Sequence, residues 1–261
     1  MTYQTLTVEQ HGHIKLIRFN RPARANAINY EMLVELEACA FALRDDAHTR
    51  VVIFTGEGRH FCSGADLDDE SLFAGPLVLK RRRLQAGARA IRALQGIDQI
   101  TLAAWNGAAM GGGACFATAM DFRIGAADCF MQYPEIDIGV NLTWQSLPLI
   151  THLVGPARAK RLVAGGERVM APTLLDWGVL EAIAPADQLL PYALDFAERY
   201  VHKPPVAVQM IKQSVNQIVS ALDQGLLHMD ADQNLLTRQT DDHLEAVAAY
   251  RGKRPPQFSG D

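Results

Sequence analysis

Apolar and polar residues alternate over residues 6–10 and again over 13–19, on either side of His11-Gly12. A period of two broken by a glycine turn predicts a β-hairpin. The period then changes. Met32, Leu33, Leu36, Ala40 and Leu43 recur at helical spacing and predict a helix over 30–45. The continuous apolar run Val51-Val52-Ile53-Phe54-Thr55 reads as a buried strand, and Thr101-Leu102-Ala103-Ala104-Trp105 as another. Between them lie a loop over 56–70 and a helix over 79–95. A helix is expected after Gly112, then short strands at 122–124 and 130–131. This strand-strand-helix recurrence points to an α/β spiral of ββα turns, although periodicity alone leaves a doubly wound sheet open.

From residue 157 onward helical spacing dominates. Helices are expected over 158–164, 172–177, 189–202, 206–224, 226–237 and 242–251, with one returning strand at 179–183. Lys203-Pro204-Pro205 is the clearest punctuation in this half. A soft boundary near 191–204 divides the chain into a core, 1–195, and a helical C-terminal region, 196–261.

Two glycine-bearing segments follow strand-like runs: Phe61-Cys62-Ser63-Gly64-Ala65-Asp66 and Met110-Gly111-Gly112-Gly113-Ala114. The second puts consecutive glycines where a strand turns into a helix. Without β-carbons a ligand can approach the main chain, and the free N–H groups of a helix start can point at it. One such site per segment would make a pair of backbone donors for a developing oxyanion. Taken singly, each segment reads rather as a tight strand-to-helix turn; the two together, in this order, favour the donor pair.

Composition narrows the setting. The 261 residues are 49% hydrophobic, ample for a large core, and the net charge is −4. With a pI near 6.1 the chain gives no general case for nucleic acid or an anionic membrane as partner. Cys39, Cys62, Cys115 and Cys129 show neither metal-ligand spacing nor a disulfide framework, which predicts reduced thiols. Residues 1–10 lack the basic flank and apolar stretch of a secretory signal, and no apolar run approaches the ~20 residues that span a bilayer. The expectation is a cytoplasmic protein.

Phe19-Asn20-Arg21-Pro22 with Asn26-Ala27-Ile28, the 61–66 segment, Asn106-Gly107 with Gly111 to Gly113, Asp121-Phe122-Arg123, Tyr133-Pro134-Glu135, Leu153-Val154-Gly155 and the tail from Tyr250 to Phe258 occur in this order. Together they resemble the crotonase (enoyl-CoA hydratase/isomerase) superfamily over nearly the whole chain. The resemblance implies the ββα spiral rather than a doubly wound sheet. It also implies a C-terminal region that builds a trimer or dimer of trimers and helps cover the site. An acyl-CoA thioester would be the substrate, with no metal and no cofactor beyond the coenzyme A of the substrate itself.

Carried over position by position, the resemblance makes Ala65 and Gly112 the N–H donors to the thioester oxygen. It makes Glu135 the acid–base residue that moves a proton at the α- or γ-carbon. For coenzyme A it implies main-chain contacts from Ala65, Asp66, Leu67 and Asp68, with Arg24 on phosphate and Lys253 or Phe258 contributing from the tail. Hydratases of the family carry a second glutamate two residues after the last glycine of the triplet. This chain has Cys115 there. A thiol does not grip and deprotonate water as a carboxylate does, so the departure favours double-bond isomerisation over hydration.

Other readings stay in view. Cys115 at a helix start is either a nucleophile or a small packing residue. Asn141 lies about where one subgroup has an aspartate, and an amide serves as neither nucleophile nor base. It reads as a turn residue after Gly139 or a group that orients substrate. Asp137 reads as solvating, and His60 and His152 as isolated surface or cap residues. The basic residues Lys80, Arg81, Arg82, Arg83, Arg89 and Arg92 could form an RNA-binding stripe, the footprint of a non-catalytic relative, or simply a solvated helix face.

Overall fold

A computed structural model describes residues 2–227 and 229–261. The hairpin forms as expected: β1 (Leu6–His11) runs antiparallel to β2 (Ile14–Phe19). Asn29 caps α1 (Tyr30–Ala42), its side chain accepting from the Met32 N–H at 3.0 Å. Then come β3 (Val51–Gly56), α2 (Leu77–Gln95), β4 (Ile100–Trp105), β5 (Ala108–Met110) and α3 (Gly112–Thr118). They are followed by β6 (Phe122–Ala126), β7 (Phe130–Gln132), α4 (Leu147–Val163), β8 (Val169–Met170), α5 (Ala171–Asp176) and β9 (Ala182–Ala184).

Two sheets result. The larger has the order β1-β2-β3-β4-β6-β9, parallel from β2 onward; the smaller has the order β5-β7-β8. Successive turns of chain give one strand to each sheet and then a helix: β4, β5, α3, and next β6, β7, α4. The turn before them has only a rudimentary second strand, the parallel bridge of Cys62 with Ala109. This is the spiral of ββα turns. Strands β3 and β4 are buried along their whole length, as continuous apolar runs between covered faces should be.

Helices complete the chain: α6 (Leu189–Val201), α7 (Pro205–Ser220), α8 (Gln224–Leu227), α9 (Asp230–Thr237) and α10 (Asp241–Gly252). Residues 195 and 196 both lie inside α6, whose Ala193 and Ala197 are fully buried in the main core.

Local differences from the sequence pattern have physical causes. The returning strand sits at 182–184, not 179–183, because the N–H groups of Val179 and Leu180 both turn back to the Leu174 carbonyl. Helix α4 begins eleven residues before 158 and contains a break at Gly155 (φ 77°, ψ 167°) just ahead of Pro156. Two helical pieces abut there, and proline starts the second. The expected helix over 226–237 is split into α8 and α9, and α7 ends at Ser220 rather than 224.

A line of stacked rings runs from the core to the site. Phe19 packs edge-on to Phe61 at 5.2 Å and flat on Phe116 at 5.6 Å, and Phe116 stacks on Trp144 at 5.8 Å.

Candidate active site

Two asparagines, Asn26 buried and Asn106 half-buried, set the loops that carry the site. Asn26 accepts from the Arg21 N–H and donates to the Glu57 and His60 carbonyls; Asn106 accepts from the Gly56 N–H and donates to the Gly56 and Gly58 carbonyls. Each amide replaces ladder bonds that the irregular chain cannot make for itself. The segment after Cys62 is thereby laid beside Ile28. The Ile28 N–H donates to the Gly64 carbonyl at 2.8 Å, and the Asp66 N–H donates to the Ile28 carbonyl at 2.9 Å.

In such a parallel bridge Ala65 itself points its N–H away from Ile28. That N–H has no acceptor among the described residues, and Ala65 is exposed. Gly64 adopts φ +91°, and a β-carbon there would come within 2.8 Å of the Met110 carbonyl oxygen. The first glycine segment therefore lies against the second.

Gly111 (φ 48°, ψ −120°) turns β5 into α3, so Gly112 occupies the first helical position. Its N–H is one of the unpaired donors of a helix start and has no acceptor among the described residues. Ala65 and Gly112 thus present free main-chain donors from two abutting segments.

Glu135 reaches the same place from β7. Pro134 starts a 3₁₀ turn, Pro134–Ile138, which Gly139 closes at φ 67°. A β-carbon on Gly111 would lie 2.6 Å from Glu135 Oε1, which places the carboxyl one residue from the Gly112 N–H. Oε2 is buried without a hydrogen-bond partner. Burial pushes the Glu135 pKa up to about 7; its own main-chain hydrogen bond opposes this, and the Asp137 charge adds to it.

Cys115, in the first turn of α3, is buried and touches the Ser146 side chain. Burial, then the nearby Glu135 charge, holds its thiol well above the usual range. Desolvation outweighs the helix dipole, so the residue is a packing thiol rather than a thiolate nucleophile. The Asn141 amide faces α9, donating to Gln233 Oε1 at 3.3 Å. Asp137 is exposed, with its pKa raised by burial of the carboxyl. His60 accepts from the Ala108 N–H at 3.3 Å, and His152 pairs with Asp223 at 3.0 Å.

The expected coenzyme A residues divide. Arg24 pairs with Asp68 at 2.8 Å on an exposed edge, while Asp66 is held by Arg21 at 2.8 Å; Leu67 is exposed between them. Lys253 and Phe258 lie elsewhere, in a tail folded back on α10. There Arg254 pairs with Glu245, and the Ser259 and Gly260 N–H groups donate to Asp242. No hydrogen bond or ion pair joins either residue to the 65–68 segment among the described residues.

The basic helix is largely spent within the fold. Arg81 makes a two-pronged pair with Asp232 of α9 at 2.8 and 3.1 Å, and Arg83 donates to the Ser71 and Ala74 carbonyls. Arg89 pairs with Glu37 at 3.1 Å, and Arg92 donates to Gln145 Oε1 at 2.9 Å. Only the Lys80 and Arg82 side chains have no such partner among the described residues, which leaves little of an RNA-binding stripe.

One part of the site had no sequence signal. Trp144, a lone aromatic in a loop, packs directly over Gly112. The loop is gripped by Asp230 of α9, which accepts from Thr143 Oγ1 at 2.6 Å and from the Gln145 N–H at 3.1 Å. Nothing in residue type or spacing joins positions 144 and 230 to Gly112.

The sequence and the fold both have known counterparts. A family model described as enoyl-CoA hydratase/isomerase matches residues 9–261. A crotonyl-CoA hydratase of Syntrophomonas wolfei is 28% identical over 260 residues, covering 99% of each chain. A 2,3-dehydroadipyl-CoA hydratase of Escherichia coli K12 is 30% identical over 255 residues, covering 98% of each. In three dimensions, the crystal structure of an enoyl-CoA hydratase from Mycobacterium avium subsp. paratuberculosis superposes with a TM-score of 0.88 at 23% identity. That match covers 99% of this chain and 100% of the other.

Proposed function

The chain belongs to the enoyl-CoA hydratase/isomerase family, and from that premise we propose that it moves the double bond of an enoyl-CoA through a thioester enolate. The observation that carries this reading is the Glu135 carboxyl at Gly111–Gly112, with an un-ionised thiol at position 115 where a second acid would stand. In the proposed reaction the thioester oxygen of a β,γ-enoyl-CoA accepts from the Ala65 and Gly112 N–H groups. Glu135 removes a proton from the α-carbon. The electron pair spreads into a dienolate, whose oxygen charge the two donors stabilise by ~3–4 kcal/mol each. The same carboxyl then returns the proton at the γ-carbon, which leaves the α,β-isomer and restores the carboxylate. A pKa near 7 suits a group that must first accept and then release a proton at neutral pH.

Hydration is the second reading, favoured by the names of the two relatives, both hydratases. It requires Glu135 alone to position and activate a water. Coenzyme A is proposed to lie along the 65–68 edge, with Arg24 released from Asp68 to meet phosphate. Lys253 and Phe258 would reach the nucleotide from the tail, and the helical C-terminal region would assemble three chains.

One experiment decides between the reactions. The purified protein is offered crotonyl-CoA and β,γ-enoyl-CoA esters, and the products are followed by mass and by absorbance. Double-bond migration faster than water addition is expected. Hydration of crotonyl-CoA as efficient as any migration would reject the isomerase reading.

A further inference from the structure

Position 144 is occupied by the bulkiest side chain in a backbone conformation that bulky side chains avoid. Trp144 has φ 65° and Gln145 φ 60°, two successive non-glycine residues in the left-handed region. Such a conformation is strained and persists only where the surroundings over-determine it. Here they do. Asp230 accepts from Thr143 Oγ1 and from the Gln145 N–H, and the Trp144 N–H also points to it. The Gln145 side chain is tied to Arg92 of α2 and to the Leu227 carbonyl.

The indole has a socket on both sides. On one, a β-carbon on Gly112 would lie 2.3 Å from Trp144 Cζ3 and 2.9 Å from Ile28 Cδ1. On the other, a β-carbon on Gly87 of α2 would lie 2.1 Å from Cε2 and 2.2 Å from Nε1. Contacts that short do not occur, so only glycine at both positions admits the ring. Phe116 stacks beneath it, and Trp144 is 8% exposed. The ring therefore fills the space between α2 and the start of α3, beside the atom proposed to hold the thioester oxygen.

We infer that Trp144 is the floor of the acyl pocket and restricts the enzyme to short acyl groups. The inference rests on the enoyl-CoA reading above and names its substrate class. In this reading a thioester bound to the Gly112 N–H with its α-carbon at Glu135 runs its chain toward the indole, because the ring packs on Gly112. On this inference a crotonyl-sized group ends before the ring. A longer chain needs the volume that the ring fills, and the clamped backbone gives the ring no inexpensive way out.

Binding of unreactive saturated esters tests this without depending on which reaction is catalysed. Calorimetry with butyryl-, hexanoyl- and decanoyl-CoA on the wild type should show decanoyl-CoA binding about tenfold or more weaker than butyryl-CoA. Trp144→Gly suits the positive φ and opens the floor. It should shift the decanoyl-to-butyryl affinity ratio by about two orders of magnitude toward the longer chain. Trp144→Phe keeps a ring on Phe116 and should shift the ratio in the same direction by less. It serves as the measurement if the glycine variant does not fold. Equal affinity for all three esters in the wild type, or a ratio unmoved in both variants, would overturn the inference alone. Failure of the wild type to bind any of the esters would overturn the enoyl-CoA reading, and the inference with it.

Discussion

At the scale of single residues the site depends on how Glu135 is buried. Its carboxyl has a folded-state pKa of about 7, above the ordinary value of 4.5. Below the ordinary value both native and unfolded states are protonated, and burial of the group carries no charge penalty. As pH rises to 7 the unfolded chain loses its proton before the native one does, so stability falls across that window, by up to about 3 kcal/mol. Glu135→Gln has no such loss. Its stability relative to wild type should increase between pH 5 and pH 8 in urea titrations, and a constant difference would show the carboxyl to be solvated. Catalysis runs the other way, because the base is the deprotonated form. The kcat/KM for double-bond migration should rise with a midpoint near pH 7. The glutamine variant should bind CoA esters but not turn them over. Glu135, Ala65 and Gly112 could be picked out as candidates because their neighbours in sequence form runs that match a family, and the structure brings their segments together. Trp144 could not, because its part depends on Gly87 and Gly112, 57 and 32 positions away. A cavity filled from three elements leaves no trace in local spacing.

Elements were legible where a single period ran unbroken, as in the hairpin, α1 and α6, or where an apolar run was continuous, as in β3 and β4. They were lost where tertiary hydrogen bonds set the limits. The short strand β5 was unread because three residues carry no period, although its bridge to Cys62 aligns the two glycine segments. The break between α8 and α9 was likewise invisible, yet it sets Asp230 at the start of α9 and under the 143–145 loop. That carboxylate is half-buried and holds two strained residues. Asp230→Ala removes the acceptor and leaves N–H groups unpaired, an effect of roughly 1–3 kcal/mol. The loss should be local. Amide hydrogen exchange at 144 and 145 should accelerate by at least about tenfold, with protection in β3 and β4 unchanged. Uniform acceleration throughout the sheet would instead mean that α9 is part of the global folding unit.

For the whole molecule, α7 poses the largest unsolved packing problem. Its inner face is fixed by Lys212, which pairs with Asp121 at 2.7 Å and donates to the Gln99 carbonyl at 2.8 Å. Asp121 also accepts from the Thr101 N–H, so this buried lysine ties α7 to the end of β4. Burial lowers the Lys212 pKa, with Asp121 opposing that shift. The opposite face carries Ile211, Val215 and Ile218, continued by Leu222, at helical spacing; Ile218 is 76% exposed and Leu222 91%. An apolar stripe of this length on an anchored helix is costly in water. A closed ring of identical chains would bury it in each copy. The proposed trimer therefore makes a definite claim about these side chains. Light scattering at micromolar concentration should give three times the 28.7 kDa chain mass, or six times if two rings stack. Ile218→Asp places a charge in the stripe without touching Lys212 or the site. It should lower the mass toward that of one chain while far-UV circular dichroism stays that of the wild type. A wild type that is monomeric at this concentration would remove the trimer, and an aspartate variant still assembled would place the contact on another surface.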